Sequence, residues 1–363
     1  MTHHGDRWRF DVLCVGDVAS DLYVPLPEDR VRIRSDGEGQ WLELPFGGKV
    51  PFDRPTIVEA GGNAANAAVA CARLGLRTAL ASFLGADHLG LEILAAMHAE
   101  GIDTSLVRLD MHAPTNRHFV LWVGHERTIL VRHEDYDYRW ARLGPSELPA
   151  WLYLTSVGRN ADAYQDEIAD WLDEYPSVDF AFEPGTHQIE RGVLGLERLY
   201  RRASLLVCNF EEAATICGLD PASDADTLLS GLLDLGPRRI VITNSVSGAY
   251  ATDGATRYEV PIYPDAEPIV DRTGAGDAFA ATLVAFLAQG MSLEEGLLRA
   301  PVNSMSVVHG IGPQARLLRP DQLDALLHPV PVGFAVRSTL RTPEVSAPVT
   351  ARSFEARQGR GGR

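Results

Sequence analysis

Lysine is nearly missing: Lys49 is the single one among 33 basic residues, and arginine supplies the rest. The chain has no G-x-x-x-x-G-K-[ST], and "FGGKV" around Lys49 lacks both the spacing and the hydroxyl. A Walker-type phosphate loop is therefore excluded, and any phosphate chemistry must rest on backbone amides, arginine and a metal. No G-x-G-x-x-G follows the first apolar run, which removes a dinucleotide oxidoreductase. Cysteine is scarce. Cys14, Cys71, Cys208 and Cys217 show no CxxC spacing, so reduced, buried thiols and a cytoplasmic location are expected. "MTHHGDRWRF" carries no apolar signal region, and no apolar run reaches membrane-spanning length. The net charge of −16 disfavours nonspecific binding to nucleic acid or anionic membranes. It leaves room for an anionic ligand, because a local dipole or bound metal can reverse the sign.

What is present is β–α alternation. "VLCV" predicts a buried strand ending at Gly16-Asp17. Residues 25–56 are rich in Pro, Gly and charge, and predict a loop with a few exposed strands. "GGNAANAAVACARLG" predicts a turn, a cap at Asn63 and a helix stopped by Gly75. "RHFVLWVGHERTILVRHE" reads as a hairpin and "WLYLTSVG", "VDFAFEPG", "ASLLVCNF" and "RRIVITN" as strands, with helices from Ala161 to Glu174, at "EEAATICG" and at "DTLLSGLLDLG". This pattern predicts an α/β fold with a doubly wound, mostly parallel sheet and ligands at the strand C-terminal ends. From Pro331 the composition shifts to six Arg with few large apolar residues, and 331–363 is expected to be a poorly ordered tail.

Chemistry-bearing residues cluster at predicted strand ends and helix starts. "DRTGAGDAFAATLVAFLAQG" sets Gly274-Ala275-Gly276 ahead of an apolar helix, where free N–H groups and the dipole favour an anion. Asp277 is then either a first-turn acid or a base facing a substrate hydroxyl. Asn209-x-x-Glu212 is either a capping box or a rim site for water-mediated Mg²⁺. Thr243, Asn244, Ser245 and Gly248 form a polar turn or one wall of a nucleotide pocket. Asp17 and Asp21 could grip vicinal hydroxyls or be turn acids. Asn63 and Asn66 could cap a helix or recognise hydroxyls, capping explaining the first better than the second.

Taken together, "GGNAANAAVACARLG", "LGADHLGLEILAAMHAEGID", "NFEE" and "DRTGAGDAFAA" resemble the ribokinase-like (PfkB) carbohydrate kinase family in content and order. The resemblance spans roughly residues 10 to 328. It implies a ribokinase-like domain over 8–328 with a small β-sheet lid from segments near 22–58 and 112–135. It implies an ATP-dependent phosphotransferase acting on a hydroxyl, expected to be a primary one, of a sugar. Within it Asp277 is the base, and Gly274, Ala275 and Gly276 the anion hole. Asp21, Gly61, Gly62, Asn63 and Asn66 contact substrate. Asn209, Thr243, Ser245, Gly248 and Asn303 serve ATP, and Glu212 serves Mg²⁺ through water. Asp271 and Thr273 match positions that bind a monovalent cation such as K⁺ in some members. Arg272 stands where the family usually has Thr, which puts that cation in doubt.

The alternatives are a nucleoside kinase of adenosine or inosine type and a non-catalytic sugar or nucleotide sensor. Trp122, Phe119 or Tyr136 could stack a nucleobase or be hairpin core. "FEPGTH" lacks the Arg usual in 2-keto-3-deoxygluconate kinases. A sugar phosphate would require an arginine cluster, for which Arg117, Arg132 and Arg159 are candidates. A homodimer through the lid is also implied by the family.

Overall fold

The computed structural model describes residues 8–37, 39–124 and 126–341. β1 (Phe10–Val15) is the first apolar run. Val12 and Cys14 join one core and Leu13 and Val15 the other, the two-sided burial of a central parallel strand. β2 (Ala19–Pro25), the hairpin β3 (Arg32–Asp36) and β4 (Gly39–Glu43), and β5 (Thr56–Gly61) follow. Next come α1 (Asn63–Arg73), β6 (Thr78–Ala81), β7 (Phe83–Gly85), α2 (His88–Ala99), β8 (Arg108–Asp110), β9 (Arg117–Val123) and β10 (Glu126–Leu130). The alternation resumes with β11 (Pro149–Leu154), α3 (Asp162–Glu174), β12 (Asp179–Phe182), α4 (Thr186–Gly195), α5 (Glu197–Arg202), β13 (Leu205–Asn209), α6 (Phe210–Cys217), α7 (Ala225–Leu233) and β14 (Ile240–Thr243). β15 (Ala249–Thr252), β16 (Thr256–Val260), α8 (Ala275–Ala288), α9 (Leu293–Val307), α10 (Pro320–Leu326) and β17 (Arg337–Leu340) complete the described chain.

Nine strands form one sheet in the order β17-β16-β15-β14-β13-β12-β11-β1-β6. It is parallel from β6 to β14 and antiparallel beyond. α1, α2, α8, α9 and α10 cover one face, and α3, α5, α6 and α7 the other. A separate four-stranded sheet, β10-β9-β2-β5, stands beside it.

Helix composition positions the site. The apolar side of α1 is built of Ala64, Ala65, Ala67, Ala68 and Ala70, and α8 answers with Ala278, Ala280, Ala281 and Ala285. Small side chains let the two helices pack closely and bring their N-terminal turns together. An added side chain at this contact would cost about 1–3 kcal/mol in overpacking.

Two stretches depart from the sequence reading. α4 and α5 occupy 186–202, where no helix is expected. The supposed tail is part of the fold over 331–341: Phe334 is buried edge-on against Tyr263, and β17 pairs with β16. One aromatic fills the gap, and β17 is fully exposed, so it offers no alternation to read. Residues 342–363 lie outside the described residues.

Candidate active site

The first turns of α1 and α8 meet at the C-terminal rim of the large sheet. Asn63 Nδ2 donates to Asp277 Oδ1 at 2.9 Å, and Asn66 Nδ2 donates to Oδ2 at 2.6 Å. Gln314 Nε2 donates to Asn66 Oδ1 at 2.9 Å, which turns the Asn66 amide toward Asp277. Each carboxylate oxygen keeps a second lone pair, so Asp277 can still accept a proton. Burial pushes the Asp277 carboxyl above its ordinary value. The two amides pull it back, and the charge of Asp21 adds a further upward push.

Asp21, on β2, lies near enough for its charge to act on Asp277. A Cβ at Gly61 would sit 2.2 Å from Asp21 Oδ2, so only glycine leaves that carboxylate its place. Gly62 is the N-cap of α1. His118 Nδ1 lies 3.2 Å from Asp21 Oδ1, and His133 Nδ1 lies 3.4 Å from Asp17 Oδ2. These pairs are close but not aligned as hydrogen bonds. Among the described residues, Asp21 Oδ1, His118 Nε2 and His133 Nδ1 are buried atoms without a hydrogen-bond partner. Asp17 is held differently: the Tyr138 hydroxyl lies 2.8 Å from both of its oxygens. The rings of His118, His133 and His187 stand in series, with centroids 5.5 and 5.6 Å apart. These three histidines come from β9, the segment after β10 and α4, and no local motif joins them.

A residue the sequence reading passed over stands at the end of β12. Glu183 accepts a hydrogen bond from the Tyr153 hydroxyl, and it is pushed up to about 8, by burial first and then by the charge of Asp277. The rule that ligand groups sit just past parallel strands would have found it. Its proton stabilises the fold fully below the ordinary value of 4.5, and that contribution is lost as pH rises through about 8. Glu183→Gln is therefore expected to flatten the fall in melting temperature between about pH 5 and about pH 8. Thermal unfolding of both proteins across that range checks it, and an unchanged slope would assign the effect elsewhere.

On the far side of Asp277 a cavity of about 480 Å³ opens. Asn209, Thr243, Ser245 and Gly248 form its polar wall. Ile262, Ile269, Phe279 and Met305 form an apolar one, and Ala275 and Gly276 close one end. The N–H groups of Gly276 and Asp277 have no intrahelical acceptor in the first turn. Asn209 and Glu212 form the capping box: Asn209 Oδ1 accepts from Glu212 N, and Glu212 Oε2 accepts from Asn209 N, both at 2.8 Å. That bond leaves Glu212 Oε1 to other partners. Burial pushes the Glu212 carboxyl up, and its cap bond opposes the push.

Several sequence-based assignments need correction. Asn303 does not face this cavity. It is fully buried, its Nδ2 donates to Thr282 Oγ1 and its Oδ1 accepts from Leu318 N. Pro301, Ser304, Met305 and Val308 line the cavity instead, a stripe of helical period that excludes 303. Asp271 braces the loop ahead of α8: its Oδ1 accepts from the amide and hydroxyl of Thr273 and its Oδ2 from Gly312 N. Tyr136 cannot stack a base, because it is buried with its hydroxyl donating to Pro114 O. Arg132 and Arg159 are exposed and paired with Glu134 and Glu190, which leaves Arg117, its Nε buried without a partner among the described residues, as the one unpaired candidate of the three.

Among the described residues, no group of three His, Cys, Asp or Glu could form a metal cage, and no helix is long and apolar enough to cross a membrane. The profile of pfkB family carbohydrate kinases matches residues 56–143 and 190–318. A fructokinase from Klebsiella pneumoniae is 30% identical over 279 residues, covering 71% of this chain and 81% of that protein. The Arabidopsis thaliana ribokinase complexed with ribose and ATP superposes with a TM-score of 0.71 at 19% identity, over 87% of this chain and 98% of that one. A nucleoside kinase of Methanocaldococcus jannaschii, an archaeal member of the ribokinase family, gives 0.70 at 18% identity, over 88% and 98%.

Proposed function

The chain belongs to the pfkB family of carbohydrate kinases, phosphotransferases with an alcohol acceptor, and from that premise we propose that it transfers the γ-phosphoryl of ATP to a primary hydroxyl of a neutral sugar. The observation that carries this reading is Asp277, fixed by Asn63 and Asn66 within reach of the charge of Asp21 and next to a cavity bordered by Gly276. An acceptor hydroxyl held beside Asp21 gives its proton to Asp277 as it attacks. The N–H groups opening α8 meet the charge on the moving phosphoryl without reorganising. The dipole of α8 adds to that effect.

The donor set fits Mg²⁺ held largely through water. Glu212 offers one carboxylate oxygen at the rim, and water and phosphate oxygens would supply the remaining ligands. When bound, Mg²⁺ neutralises charge on the β and γ oxygens. For this chain's residues the consequence is simple: Glu212 and Asn209 orient the rim, while Asp277 keeps the proton chemistry.

The acceptor wall supports a sugar over a nucleoside. Asp21, His118 and His133 present unpartnered polar atoms, which match hydroxyls, and Tyr136 is unavailable for stacking. The acidic groups around it argue against an anionic acceptor. An ATP-consumption assay over pentoses, hexoses, sugar acids and nucleosides tests this. Turnover is expected with neutral sugars, and His118→Ala should raise the acceptor KM about tenfold with little change for ATP. Preferential turnover of a nucleoside would replace the sugar reading.

A further inference from the structure

We infer that Arg127 and Arg272 form a two-sided guanidinium clamp on the phosphate tail of the nucleotide, a role that rests on the kinase reading above. Arg127 comes from β10 in the small sheet, and Arg272 from the loop ahead of α8. Both line the cavity that holds Asn209 and Gly276. Neither guanidinium has a hydrogen bond or ion pair among the described residues, and Arg127 Nε is buried without a partner.

The chain has 49 acidic residues, and about half of the described arginines hold a carboxylate: Arg73 holds Glu100, Arg198 holds Asp170 and Asp173, and Arg316 holds Glu267. Arginines kept apart from so many acids, at one cavity, are available to an incoming anion. The need is plain. A triphosphate must enter a cavity whose lining residues Gly276 and Asn209 adjoin the carboxylates of Asp277 and Glu212, and the single lysine, Lys49, is exposed and does not line it. A guanidinium fork matches phosphate oxygens in two parallel hydrogen bonds. Arg272 supplies that charge from the exposed loop ahead of α8, and Arg127 supplies it from a sheet whose other strands carry Asp21 and His118.

Isothermal titration of the full chain with ATP and with AMP tests the clamp, since AMP keeps base and ribose but lacks the β and γ phosphates. Arg127→Ala and Arg272→Ala are each expected to weaken ATP binding about tenfold, with AMP binding unchanged. Arg127→Lys and Arg272→Lys should recover part of the loss, and they serve as folded controls that keep the charge. In turnover, Arg272→Ala should raise the KM for ATP and leave the acceptor KM near the parent value. ATP affinity unchanged in both alanine variants would overturn the clamp, and so would equal losses for ATP and AMP. A parent protein that binds no ATP would instead overturn the kinase reading itself.

Discussion

Asp277→Asn is expected to lower kcat by about 10³-fold, within the range for removing a general base, while ATP affinity stays near that of the parent. The amide is nearly the same size as the carboxylate but cannot take a proton. Its NH₂ would also face the Asn63 or Asn66 amide, which donates to the carboxylate in the parent protein. The parent's kcat/KM should show an acidic limb displaced above the ordinary carboxylate range, because burial raises Asp277. That limb should vanish in the variant's residual activity. Steady-state kinetics across pH, with ATP binding measured separately, decides the matter. Turnover within tenfold of the parent would remove Asp277 from proton transfer.

The second large effect separates two glycines two residues apart. Gly274 has φ +81°, and a Cβ there would lie 2.3 Å from Pro313 Cβ and 2.6 Å from its Cα. Gly274→Ala should cost about 3 kcal/mol of stability, combining left-handed strain with overpacking. Gly276 has open space where a Cβ would point. Gly276→Ala should leave the fold intact or gain about 0.5 kcal/mol, since alanine suits a helix better. Yet turnover should fall about 10²-fold, because the methyl group would occupy the approach to the phosphoryl site. Urea unfolding and turnover, measured on both variants, should move in this crossed pattern. Full activity in Gly276→Ala would mean that no phosphate meets that backbone.

The sequence made the machinery around α8 legible because it is local. Gly274 to Asp277 is one turn, Asn63 and Asn66 are one turn, and Asn209 with Glu212 is one capping box. Each has a spacing that physics interprets. The proposed acceptor wall was not legible for the opposite reason. His118, His133, His187 and Glu183 sit on separate elements, and only the folded sheet brings them near one another. Asn303 was misread because a helical residue faces its partner by angle, and a shift of one position along α9 rotates it by about 100°. The strands and helices of the large sheet followed from apolar runs between glycines, whereas β17 carries no such run.

β17 has a consequence for anyone who shortens this protein. It is short, exposed and the last strand on its side of the large sheet, pairing with β16 through Glu259 and Arg337. A truncation after Val330 would leave the backbone of β16 bare and would also remove the Phe334 plug. Bare strand margins recruit other polypeptides, so such a fragment should clump in storage even with its catalytic groups undisturbed.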